Sequence, residues 1–334
     1  MSATTASPVP PTLADAHGRA IAYLRLSLTD RCNLRCGYCA AHARPLETEP
    51  LRRDEIRRLV AIFAGLGVRR IRLTGGEPTL RPDLLDVVRD VRAVPGIEEL
   101  ALTTNGFRLE ELAGPLRAAG ISRLNVSFDS LDGERLERIC GRPVRIERLL
   151  LGVEAAARAG FSSLKLNTVV MRGENDGEVG DIVRFAWRVD ALPRFIELMP
   201  FGAGEPVAAA ETKRLLAAQG VELSPDATRG WGPAYHMRGR SIADGEERTG
   251  LVGFIAAMTE NFCASCNRIR IAADGSLRSC LGGRDRLPLR ALLEEGASDE
   301  EIAARILAEL RRKGERHQME RGGCGLPPMI GTGG

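Results

Sequence analysis

An α/β fold with a largely parallel sheet is what this sequence predicts, and three observations carry that expectation. Strand-like segments recur about every thirty residues from Tyr23 to Met199: YLRLSLT, RRIRLTGG, LALTTNG, SRLNVSFDS, SLKLNTVV and RFIELMP. Amphipathic runs such as DEIRRLVAIFAGLG and RIERLLLGVEAAARAG lie between them, and strand and helix alternating at this period means right-handed βαβ units. Three cysteines follow the first strand directly, where a barrel enzyme would place its active site. Six such units are too few for eight-fold closure, so an incomplete barrel or an open sheet is expected.

Each strand alternates, which a parallel sheet buried on both faces does not require. In the first, Leu24, Leu26 and Leu28 share one face while Arg25 and Ser27 share the other. Ile71 and Leu73 then oppose Arg72 and Thr74, Leu102 opposes Thr103, and Leu124 and Val126 oppose Asn125 and Ser127. Leu164 and Leu166 oppose Lys165 and Asn167, and Ile196 and Leu198 oppose Glu197 and Met199. A half-solvated antiparallel sheet would alternate in the same way, but the intervening helices argue against it. Curled with its polar face inward, the sheet would enclose a lumen carrying Arg25, Arg72 and Lys165 against Glu197, and so an anionic substrate is expected. A solvent-facing edge is the alternative place for Lys165.

At 334 residues with 44% hydrophobic and 27% charged, the chain has the composition of an ordinary soluble globular protein. A net charge of +3 makes no overall case for nucleic acid or membrane partners. Neither a secretory start nor a run of about 18 apolar residues is present, so a cytoplasmic protein is expected. Only Lys165, Lys213 and Lys313 are lysine among 47 basic residues. The eight cysteines read as metal ligands or free thiols in such a chain.

Six of them form two groups. Cys32, Cys36 and Cys39 make a C-x3-C-x2-C run, and Cys263, Cys266 and Cys280 a C-x2-C-x13-C run. Three thiolates suit a 4Fe-4S cluster with one iron left open. Zinc completed by His42 or a further cysteine fits the first spacing too, and the second resembles three quarters of a zinc ribbon. Cys140 and Cys324 have no partner spacing and read as structural or free thiols. Glu77 suits either cofactor binding or capping of the segment after it. Asp274-Gly275 is a hairpin-turn signal, and the missing Walker A run leaves phosphates to side chains.

CNLRCGYC and TGGEP resemble the cluster loop and the glycine motif of the radical S-adenosylmethionine enzymes. LTDRCNLRCGYC, TGGEPTLR, LTTNG, NVSFDSLD, NTVVMRGEND, RFIELMPFG and FCASCNRIRIAADGSLRSCL together resemble, in order from Tyr23 to Leu281, the GTP 3′,8-cyclases of molybdenum-cofactor biosynthesis, the MoaA type. The resemblance implies an incomplete (β/α)6 TIM-type barrel at 19–205 and a C-terminal region at 206–328 carrying a second iron-sulfur cluster. A flexible tail at 1–18 and a Gly-Gly tail at 329–334 complete the expected domains.

By the same resemblance, Cys32, Cys36 and Cys39 hold a first 4Fe-4S cluster that chelates S-adenosylmethionine, with Tyr38, Gly76, Ser127 and Met199 as cofactor contacts. Cys263, Cys266 and Cys280 hold a second 4Fe-4S cluster facing the purine of GTP, and Arg25, Arg72, Thr103, Lys165, Arg268, Ile269 and Arg270 contact the nucleotide. A radical made from the cofactor takes the 3′ hydrogen of GTP, and the carbon radical attacks C8 of the base. Gly333 and Gly334 match a tail that assists catalysis. Implied partners are GTP, an external electron donor and a cyclic pyranopterin monophosphate synthase that receives the product; the oligomeric state, homodimer included, stays open. Departures are Ala40-Ala41 where Met-Pro is usual, a shorter segment after it, an insertion-like SIADGEERTG at 241–250, and the altered spacing of the MIGTGG tail.

Overall fold

A computed structural model describes residues 13–39, 49–243, 245–283, 285–317 and 319. The strands are β1 (Tyr23–Ser27), β2 (Arg70–Thr74), β3 (Glu99–Thr104), β4 (Arg123–Ser127), β5 (Ser163–Val170), β6 (Leu192–Glu197), β7 (Val221–Arg229), β8 (Tyr235–Ala243), β9 (Glu246–Ile255), β10 (Arg268–Ile271), β11 (Ser276–Arg278) and β12 (Leu287–Pro288). Helices α1 (Arg53–Gly65), α2 (Leu84–Arg92), α3 (Leu109–Ala119), α4 (Gly133–Cys140), α5 (Ile146–Arg158), α6 (Val179–Arg188) and α7 (Ala209–Ala218) connect the first seven; α8 (Leu289–Glu294) and α9 (Asp299–Arg311) come last.

All strands join one sheet in the order β12-β11-β10-β1-β2-β3-β4-β5-β6-β9-β8-β7. β1 to β6 are parallel, as their βαβ spacing predicts. The C-terminal third extends both ends of this run: β9 pairs parallel to β6, and β10 pairs parallel to β1. These two strands are consecutive in the chain yet lie at opposite ends of the parallel run, so the connector between them bridges from one side to the other. The outer strands β7, β8, β11 and β12 pair antiparallel.

The alternation is realised. Leu24, Leu26, Ile71, Leu73, Leu102, Leu124, Val126 and Leu166 are fully buried against Val60, Phe63, Val87, Leu116 and Val153 of the helices. The other face carries the polar residues. Asp274-Gly275 makes the predicted turn between β10 and β11, with Gly275 at φ +80° and Asp274 accepting from Ser276 N and Oγ. Residues 241–243 and 246–250 pair at the end of the β8–β9 hairpin. Leu13, inside the expected tail, is buried and donates its N–H to the Leu66 carbonyl at 3.1 Å. Among the described residues, no helix is long and apolar enough to cross a membrane.

Candidate active site

Two loops build the C-terminal end of the lumen. Leu28 N–H donates to the Thr74 carbonyl, Gly76 N–H to Thr29 at 2.6 Å and Glu77 N–H to Arg31 at 2.8 Å, tying the thiol loop to the glycine motif. A Cβ on Gly76 would collide with the Arg31 carbonyl, so only glycine permits this approach. Glu77 is buried and accepts from Thr79 N–H, the Thr79 and Thr104 hydroxyls and Asn105 N–H at 2.6–3.0 Å. It thus caps the short turn that follows it and also lines the cavity. Burial raises its pKa, opposed by these hydrogen bonds.

Cys32, Cys36 and Cys39 are all partly buried in this loop and line the cavity with Tyr38, Gly76, Ser127 and Met199. Burial pushes the Cys32 thiol up to about 11 and the Cys39 thiol up to about 12. A hydrogen bond with Cys140, together with burial, raises Cys36 further. Cys140 ends α4, which the loop grips through Arg35 N–H donating to the Cys140 carbonyl at 2.8 Å. Tyr38 Oη donates to Asp129 Oδ2 at 2.7 Å; burial pushes Asp129 up to about 6.

The strand registers then stack cations along the lumen. Arg270, Arg25 and Arg72 lie side by side on β10, β1 and β2, and Thr103, Asn125 and Lys165 on β3, β4 and β5. Arg72 donates to Tyr23 Oη and to Thr103 Oγ1 at 3.2 Å. Burial, then Arg194, Arg123 and Arg72, lower Lys165 to about 7; burial, then Arg270 and Arg72, hold Arg25 well below its usual range. Among the described residues, Asn125 Oδ1 is buried with no hydrogen-bond partner. The cavity, about 340 Å³, is thus crowded with like charge that a polyanion would relieve.

Two expectations change. Glu197 borders the cavity, but its carboxylate is taken up locally: it accepts from the N–H groups of Ala209, Met258 and Thr259 and from the Thr259 hydroxyl. It sutures the start of α7 to the connector after β9. The phase of β6 is the reverse of the one read, so Arg194 and Ile196 line the cavity while Phe195 packs on Phe254. Ile269 is fully buried in the core between Arg268 and Arg270, so its side chain does not reach the lumen.

At the N-terminal end, Cys263 and Cys266 lie in the connector leading into β10, and Cys280 follows β11. All three line the same cavity as the first group. Because β10 runs parallel to β1 with Arg268 beside Tyr23, this group sits at the opposite end of the lumen from the loop that follows β1. Burial raises the Cys266 thiol, but Arg268 and Lys313 outweigh it and bring it down to about 7. Arg268 Nη2 and Lys313 Nζ each stand 3.7 Å from Cys266 Sγ.

Among the described residues, no three Cys, His, Asp or Glu side chains converge as a ready metal-binding group. The donor chemistry nonetheless fits: three soft thiols at each end, spaced as for a cluster with an open iron. His42, Ala40, Ala41, Cys324, Gly333 and Gly334 lie outside the described residues. Sequence reasoning missed Arg194, Asp129, Lys313 and the Cys36–Cys140 contact. Corrected phasing of β6 would have found the first; the others join segments far apart in the chain and left no local signal.

The family model for the Radical SAM superfamily matches residues 26–186, and that for Molybdenum Cofactor Synthesis C matches 193–319. The chain is 43% identical to a GTP 3′,8-cyclase of Heliobacterium modesticaldum, over 95% of this chain and 98% of the relative. It is 41% identical to one of Edwardsiella ictaluri, over 94% and 96%. Among solved structures, Streptococcus suis SuiB bound to S-adenosylmethionine superposes with a TM-score of 0.61 at 14% identity, covering 87% of this chain and 69% of that one, a likeness of fold. With relatives this similar across nearly its whole length, the chain belongs to the radical SAM superfamily and, within it, to the GTP 3′,8-cyclase family.

Proposed function

We propose that this enzyme converts GTP to (8S)-3′,8-cyclo-7,8-dihydroguanosine 5′-triphosphate, a lyase reaction at the entry to molybdenum-cofactor synthesis. The observation that carries this reading is a cationic lumen with a group of three thiols at each end. On it, Cys32, Cys36 and Cys39 hold one 4Fe-4S cluster and Cys263, Cys266 and Cys280 a second. The first cluster and S-adenosylmethionine, when bound, supply a hydrogen-abstracting carbon radical.

The chain's own residues then divide the work. Gly76 lets the backbone close on the thiol loop, and Tyr38, Ser127 and Met199 border the cofactor. Arg25, Arg72, Lys165, Arg194, Arg268 and Arg270 hold the triphosphate and base; arginine suits phosphate through paired N–H donors. Thr103 fixes Arg72. The Gly333-Gly334 tail, by the family resemblance, assists catalysis. Electrons come from an external donor, and the product passes to a cyclic pyranopterin monophosphate synthase.

Anaerobic incubation of the loaded enzyme with S-adenosylmethionine, reductant and GTP is expected to yield the 3′,8-cyclised nucleotide. Cofactor cleavage with no change in GTP would favour another radical enzyme with an auxiliary cluster, acting on a peptide.

A further inference from the structure

Lys313 is one of three lysines in a chain whose other basic residues are arginine, and it is buried to 3% exposure just beyond α9. Its ammonium donates to the Arg268 carbonyl at 2.9 Å and to the Ser279 carbonyl at 2.5 Å, and stands 3.7 Å from Cys266 Sγ. Those partners lie on the two chain segments that present Cys266 and Cys280. The segment carrying Lys313 is itself held in place. Arg19, paired with Asp15 at 2.5 Å, donates to the carbonyls of Gly314 and Glu315 at 2.8 Å and to that of Cys263 at 2.9 Å. One end of α9 is thereby fastened to both segments that carry the three thiols.

A buried ammonium needs compensating charge as well as hydrogen bonds. Two carbonyls satisfy two of its protons, and the third faces sulfur. We propose that Lys313 is a positioning and tuning residue for the second thiol group: it braces the Cys266 and Cys280 segments and donates a charge-assisted hydrogen bond to the Cys266 sulfur. A cation held against a ligand sulfur favours the more negative, reduced state of a cluster, since hydrogen bonds to the sulfurs and net charge set its potential. The proposal rests on the reading that this group holds a cluster.

The test uses the full chain carrying Cys32→Ala, Cys36→Ala and Cys39→Ala, so that only the second group binds iron. About four irons per chain are expected after anaerobic reconstitution; none would overturn the two-cluster reading itself, independently of Lys313. In that background Lys313→Met is expected to shift the one-electron reduction equilibrium about tenfold toward the oxidised cluster, about 59 mV lower, read by an EPR-monitored redox titration. Lys313→Arg is expected to recover most of the shift. If Lys313→Met loses the iron while Lys313→Arg keeps it, the charged brace is supported. An unchanged potential in an iron-loaded Lys313→Met chain overturns the proposal, as does loss of iron from both variants.

Discussion

At the C-terminal end of the lumen the thiols face carboxylates, and at the N-terminal end they face cations. Cys32 lies near Glu77, and Cys36 and Cys39 near Asp129, all in buried surroundings that raise the thiols. Cys266 lies between Arg268 and Lys313, which lower it. Two groups of three thiols are thus set in opposite fields. An acidic end suits a cofactor bearing a sulfonium and an ammonium, and a cationic end suits a nucleotide carrying a triphosphate. The row Arg270, Arg25 and Arg72, with Lys165 and Arg194 further along, spans the space between.

The largest expected effect breaks the acidic end. Glu77→Ala removes the acceptor for Thr79, Thr104 and Asn105 and leaves buried donors unsatisfied. A loss of about 3 kcal/mol is expected in denaturant unfolding, and a loss below about 1 kcal/mol would show that Glu77 does not hold this end together. Next, Arg25→Ala or Arg194→Ala should weaken GTP binding about 10- to 100-fold, from loss of a charge-assisted contact. Iron content should stay at the wild-type level; normal GTP affinity in both would remove the cationic middle from the binding site.

Smaller effects sharpen the comparison through pH. Lys165 titrates at about 7 because burial and three arginines oppose its charge. A bound triphosphate favours the charged form, so binding takes up a proton above pH 7. GTP affinity should therefore fall as pH rises through 7 toward 8.5, by at most about tenfold per unit. Lys165→Arg, which stays charged, should flatten that slope in binding titrations; an equal slope in both proteins would assign it elsewhere. Smallest is Tyr38→Phe. Removing the hydroxyl that donates to Asp129 should cost about 1 kcal/mol of stability, with the iron content of the first group unchanged.

Much of the parallel core could be read from the sequence, because period-two alternation and βαβ spacing are local signals. Leu24, Leu26 and Arg25 fall on the faces their spacing dictates. What the six-unit reading missed is that β9 and β10, from the C-terminal third, lengthen the parallel run at both ends. The β10 pairing depends on contacts across more than 240 residues, as between Tyr23 and Arg268, for which no local pattern exists. Glu197 shows the other failure. Its alternation with Ile196 suggested a counter-charge for the lumen's cations, but four donors from α7 and the connector after β9 claim its carboxylate. Lys313 and Cys140 reach the thiol groups only through tertiary packing. Two thiol groups differing in electrostatic setting are therefore a property of the folded chain, although both cysteine triads stand plainly in its sequence.

Iron and acid-labile sulfide, measured on the anaerobically reconstituted wild type and on two triple variants, test the two-ended lumen most directly. About eight irons per chain are expected for the wild type. About four are expected when Cys32, Cys36 and Cys39 are all alanine, and about four when Cys263, Cys266 and Cys280 are. Stoichiometric zinc in place of iron, or an iron content that does not fall when the second triad is removed, would contradict it.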